Sequence, residues 1–145
     1  VTPVLERFEQ VRLLVVDSSV GVKWFKSEDE PAVDAALDIL WEHQTGRSAI
    51  FVPGHFPAEV LNGLWYARYE PEQVRAAAEA LDALAFSVVP LGRHVTEPAV
   101  ALAARHGITI HDALFPALAQ LLDCELVTAD RQQAQVSECA IRLLA

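Results

Sequence analysis

The sequence predicts an α/β fold in which a parallel or mostly parallel sheet carries helices on both faces. Three observations predict it. Short apolar runs alternate with longer helical patterns; the first run is nearly continuous in Leu and Val; and no repeat, linker or composition break divides the 145 residues. That length suits one domain, residues 1–145, since domains cluster at about 100–150 residues.

Arg12–Val16 reads as a strand covered on both faces, because polar residues do not alternate through LLVV. A helical stretch follows at about 19–26. In the next, 31–44, Pro31 fits a first turn, where the missing N–H has no partner. Asp34, Asp38 and Glu42 repeat every four residues, and Val33, Leu37 and Leu40 make an apolar stripe, giving one wet and one buried face. Ile50–Val52 is the second strand and 55–68 the helix after it. Pro71 opens the helix 71–85, and Ser87–Val89 is the third strand. The helix 95–106 ends in Arg105 and His106 and is closed by Gly107. Helix 112–122, strand Glu125–Thr128, a helical stretch at 131–137 and strand Ile141–Leu144 complete the chain.

Composition narrows the function. Eleven Lys and Arg against twenty Asp and Glu leave a net charge of −9, which disfavours a generic nucleic-acid binder held by a broad basic face. The excess suits carboxylates gathered around a cation, or a basic partner. Cys124 and Cys139 are too few for a disulfide framework and form no CxxC, so a reduced, cytoplasmic setting is expected. No apolar run reaches the roughly 18 residues of a membrane span. The best, Ala113–Leu122, contains Pro116 and Gln120. Glu6, Arg7 and Glu9 interrupt the first ten residues, so no secretory leader is expected. His43, His55, His94, His106 and His111 include no i, i+4 pair that would suggest zinc. No GxSxG surrounds Ser18 and Ser19, and there is no GxGxxG or P-loop. Trp24, Trp41 and Trp65 read as core or interface. Lys23, Lys26 and Arg131 lie beside acidic motifs, either as local phosphate contacts or as plain surface cations.

Four acids stand apart from those on polar helical faces. Asp17 follows the first strand and Asp130 the fourth, where open α/β sheets bind ligands. Glu59 lies early in the helix after the second strand, and Asp112 opens the helix HDALFPALAQLL. Each has a plain alternative, as a helix cap or a first-turn acid. As a set they would repel one another on convergence unless a cation compensates. Oxygen donors without His or Cys suit Mg²⁺ or Mn²⁺. Spacing alone does not bring them together.

VVDSSVGVKWF, PGHFPAEVLNGLWYAR and ITIHDALFPALAQLLDCELVTADRQ resemble PIN-domain proteins, specifically VapC-type toxins of prokaryotic toxin–antitoxin pairs, from about Leu13 to the C-terminus. The resemblance implies a five-stranded parallel sheet of order 3-2-1-4-5 and metal-dependent ribonuclease activity. It implies that Asp17 and Asp112 are the principal metal ligands and that Glu59 and Asp130 complete the shell. Asn62 and Thr128 would be polar residues supporting them. It further implies RNA as substrate, Mg²⁺ or Mn²⁺ as cofactor, a cognate antitoxin and a homodimer. Three residues depart from the pattern. His111 replaces an aromatic such as Tyr, Pro116 is expected to bend the first turn of its helix, and Gln133 stands at a usually apolar place, so the last helix is expected to pack loosely.

Two rivals stay open from the sequence. One is a PIN-fold protein that binds a partner without cleaving RNA. The other is a phosphotransfer enzyme with Asp17 as nucleophile, disfavoured because Ser19 stands where a second acid would be wanted.

Overall fold

Five parallel strands hydrogen-bond in the order β3-β2-β1-β4-β5 in the computed structural model, which describes residues 11–26 and 30–144. The strands are β1 Arg12–Val16, β2 Ser48–Pro53, β3 Ser87–Val89, β4 Glu125–Thr128 and β5 Ile141–Leu143. Leu14, Val15 and Val16 are fully buried, as expected of a central strand covered on both sides. Strand order reverses at β1, with β2 on one flank and β4 on the other. Val16 pairs with Val127, so Asp17 and Thr128 leave the sheet side by side at its carboxyl end. That is the crevice in which α/β folds bind ligands. The reading of residues 1–10 as no leader lies outside the described residues.

The helices are α1 Ser18–Lys23, α2 Val33–Gln44, α3 Phe56–Tyr66, α4 Pro71–Ala83, α5 Arg93–His106 and α6 Ile110–Leu122. Among the described residues, none is long and apolar enough to cross a membrane. Pro71 takes the first position of α4, and Gly107 closes α5 at φ 65°. Pro31 does not open α2: Ala32 is the cap, at φ 62°, and the helix begins at Val33. The buried face of α2 is Val33, Ala36 and Ile39, and Leu37 is exposed. Both stripes fit a helical period, and contact with the sheet selects the second. The stretch 131–137 is only a 3₁₀ turn, Gln133–Gln135.

Trp24 belongs to the core, donating Nε1–H to the Ala36 carbonyl at 2.8 Å and packing on Phe56 and Phe86. Trp41 and Trp65 are exposed. Cys124 and Cys139 are unbridged and half-buried, and burial pushes both thiols up to about 11.

Two glycines let α1 and α3 approach. A Cβ on Gly21 would come within 2.7 Å of Val60 Cγ2 and 2.8 Å of the Phe56 ring, and one on Gly63 within 2.7 Å of Val22 Cγ2. This contact brings the helix that Asp17 begins against the helix that carries Glu59.

Candidate active site

Asp17 is buried and caps α1. Its Oδ1 accepts from the Ser19 main-chain N–H at 3.1 Å and from the Ser19 hydroxyl, and its Oδ2 accepts from the Thr128 hydroxyl. Both hydroxyls are relays. Thr128 Oγ1 accepts from the Asp130 N–H at 3.0 Å, and Ser19 Oγ accepts from the Ala129 N–H at 2.9 Å. The capping reading of Asp17 and its place at the sheet's carboxyl end therefore hold together. Burial pushes its carboxyl up to about 6, against the pull of these hydrogen bonds.

Asp112 lies in the first turn of α6. The helix begins two residues earlier than the sequence suggested, because Thr109 caps it and accepts the Asp112 N–H at 3.1 Å. Burial raises the Asp112 carboxyl, and the negative charges of Glu59 and Asp130 raise it further. Those three acids thus share one electrostatic field. Asp130 is exposed and folds back on its own chain, Oδ1 accepting from the Gln132 N–H at 2.9 Å. Asn62, one turn after Glu59 on α3, is exposed.

Glu59 stands in the first turn of α3, four residues after His55. His55 Nε2 approaches Glu59 Oε1 to 3.2 Å, but its hydrogen points to the His111 carbonyl, 2.9 Å away. Among the described residues, Glu59 Oε1 is left buried with no hydrogen-bond donor, as is His55 Nδ1. The His55 ring packs between Phe115 and His111, at centroid distances of 4.8 and 5.4 Å.

One of the departures behaves differently from expectation. Gln133 is not loosely packed: it is buried, and its Nε2 donates to the Asp112 carbonyl at 2.7 Å. Pro116 sits inside α6 without ending it. Lys23 is engaged by the Pro31 carbonyl at 2.7 Å and Glu30 at 3.3 Å, whereas Arg131 is exposed beside Asp130. Sequence reasoning missed Ser19 as a brace; its signal is a hydroxyl two residues after a capping Asp, within reach of the same carboxylate. It also missed His55; its signal is the place four residues before Glu59, on the same face of one helix.

A hard divalent cation suits this donor set. The oxygens are carboxylates, one is buried with no donor among the described residues, and Asp112 is repelled by both Glu59 and Asp130. Among the described residues, no three His, Cys, Asp or Glu side chains form a ready-made cage. Mg²⁺ does not need one, since it is usually held by one or two carboxylates and keeps several waters.

The sequence matches the family profile described as PIN domain over residues 14–138. It is 30% identical over 130 residues to "Ribonuclease VapC3" of Pyrobaculum aerophilum, covering 86% of this chain and 94% of that one. It is 34% identical over 133 residues to "Ribonuclease VapC1" of Mycobacterium tuberculosis, covering 80% of this chain and 98% of that one. Its fold is similar to a chain of the VapBC2 structure from Rickettsia felis, with a TM-score of 0.68 at 14% identity over 92% of this chain and 99% of that one. A toxin–antitoxin complex from Klebsiella pneumoniae gives 0.64 at 23% identity, covering 88% and 95%.

Proposed function

The chain belongs to the PIN-domain family, and from that premise we propose that it is a divalent-metal-dependent endoribonuclease, the toxin of a toxin–antitoxin pair. The observation that carries the reading is the shared field of Glu59, Asp112 and Asp130 beside the braced carboxylate of Asp17. Such clustering is costly without a cation. The relatives' ribonuclease names agree with it. We take residues 1–145 as one PIN-like domain acting in the cytoplasm.

In this reading Asp17 and Asp112 are the principal ligands of Mg²⁺ or Mn²⁺, with Glu59 and Asp130 completing the shell directly or through water. The bound ion supplies positive charge that polarises the phosphodiester and lowers the pKa of water. Thr128 and Ser19 hold the Asp17 carboxylate in one orientation. Glu59 or Asp130 orients the attacking water and takes its proton. The water oxygen bonds to phosphorus as the bond to the leaving 3′ oxygen breaks, and that oxygen takes a proton from solvent, leaving a 5′-phosphate and a 3′-hydroxyl. Asn62 lines the same side of α3 as Glu59, and Arg131 meets a flanking phosphate. A cognate antitoxin with a basic or aromatic segment fits the acidic groove, and the active form is a homodimer.

The test is incubation of the purified protein with a mixed RNA pool and Mn²⁺ or Mg²⁺, beside EDTA and Asp17→Asn controls. Discrete cuts absent from both controls are expected. Cuts that persist in EDTA would remove the metal. Well-folded protein that neither cleaves RNA nor binds Mn²⁺ would leave a binding protein.

A further inference from the structure

Pro116 lies four residues after Asp112 within α6, where a main-chain N–H would donate to the Asp112 carbonyl. Proline has none. The carbonyl is nevertheless satisfied, because Gln133 reaches across from the 3₁₀ turn and donates Nε2–H at 2.7 Å. A carbonyl only accepts, so the amide nitrogen faces it. Gln133 is 3% exposed and its Oε1 has no partner among the described residues, so the contact with Asp112 is what this buried amide achieves there.

The segment that carries Gln133 also holds Asp130. The Ala134 N–H donates to the Asp130 carbonyl at 3.1 Å, and the Gln132 N–H to Asp130 Oδ1 at 2.9 Å. On the other side, Thr109 fixes the Asp112 N–H and His55 the preceding carbonyl of His111. Asp112 is thus anchored by partners outside its own helix.

We propose that Gln133 is a positioning residue for Asp112: its carboxamide replaces the hydrogen bond that Pro116 removes and ties the first turn of α6 to the Asp130 turn, setting the spacing of two site carboxylates. The inference rests on the reading of Asp112 and Asp130 as metal ligands.

The test is a cycle of Gln133→Met, Pro116→Ala and the double variant. Methionine keeps the length and removes the donor; Gln133→Leu replaces it if the methionine variant folds poorly. Mn²⁺ affinity is measured by calorimetry without RNA, amide hydrogen exchange is followed from Ala113 to Leu118, and cleavage is resolved into kcat and KM. Gln133→Met is expected to weaken Mn²⁺ binding about tenfold, the scale of losing a partner that orients a ligand. It should lower kcat with little change in KM and speed exchange in the first turn. In the Pro116→Ala background the restored N–H takes over, and the same substitution should change affinity by no more than about twofold. Parental affinity and exchange in Gln133→Met, or an equal loss in both backgrounds, would overturn the proposal. If the parent binds no Mn²⁺, the metal reading fails, and the exchange cycle alone decides the role of Gln133. Protection lost and then restored supports it; protection unchanged sinks it.

Discussion

The Thr128 hydroxyl donates to Asp17 Oδ2 at 2.5 Å while accepting the Asp130 N–H at 3.0 Å. One side chain thus joins the ends of two adjacent strands through the two acids that follow them. Thr128→Val keeps the shape and removes both roles. It is expected to cost about 1–3 kcal/mol in denaturant melts, the range for leaving a buried acceptor unsatisfied. Thr128→Ser should recover most of that, and unchanged stability in the valine variant would show the bridge to be idle.

Asp17 makes the metal-free protein sensitive to pH. Its folded pKa, about 6, lies above the usual 3.8, so folding favours the protonated form. The contribution is complete below about pH 4 and is lost as pH rises through about 6. That difference corresponds to roughly 3 kcal/mol. Asp17→Asn is therefore expected to match the parent near pH 4 and to exceed it in stability at pH 7 by up to that amount, while losing cleavage. A stability difference independent of pH would refute the assignment.

Metal addition should act in the opposite sense. Carboxylates bind cations in their charged form, so Mn²⁺ should raise the melting temperature more at pH 7.5 than at pH 5. At a hundred times its dissociation constant the gain is about 2.7 kcal/mol. Asp112→Asn should abolish that gain without lowering the metal-free stability, because it relieves repulsion from Glu59 and Asp130. Calorimetry on both proteins checks it.

The two glycines between α1 and α3 are not equivalent. An added methyl at Gly21 meets Val60 and the buried Phe56 ring, whereas at Gly63 it meets only the half-buried Val22. Gly21→Ala is expected to destabilise by about 1–3 kcal/mol through overpacking. At Gly63 the approach is equally close but meets one half-buried valine that can shift, so the helix-propensity gain of about 1 kcal/mol, common to both sites, leaves a smaller loss. Equal melting temperatures for the two variants would contradict this.

Much of the architecture was legible because strand and helix periods differ. LLVV has no polar alternation, Pro71 and Gly107 mark helix ends, and all five strands overlap those read from the residues. What was hidden depends on tertiary contact. Leu37 and Ile39 fit helical stripes equally well, and only the sheet decides between them. Asp17 and Asp130 could be placed at strand ends, but the field linking Asp112 to Glu59 and Asp130 requires the fold. Gln133 and Pro116 read as two separate departures. Their relation spans seventeen residues and two elements, so no local pattern expresses it.

Among the described residues the sheet ends on β3 and β5, each three residues long. At about 3.3 Å per residue, either outer edge offers only about 10 Å of backbone. That is too little to template a further strand, whether from a foreign peptide or from another copy aggregating edge to edge. Short edges favour association through side-chain surfaces, where Trp41, Trp65 and Tyr66 already stand in solvent. Specificity would then lie in shape and chemistry at the helices, leaving the main-chain ladder closed to outsiders.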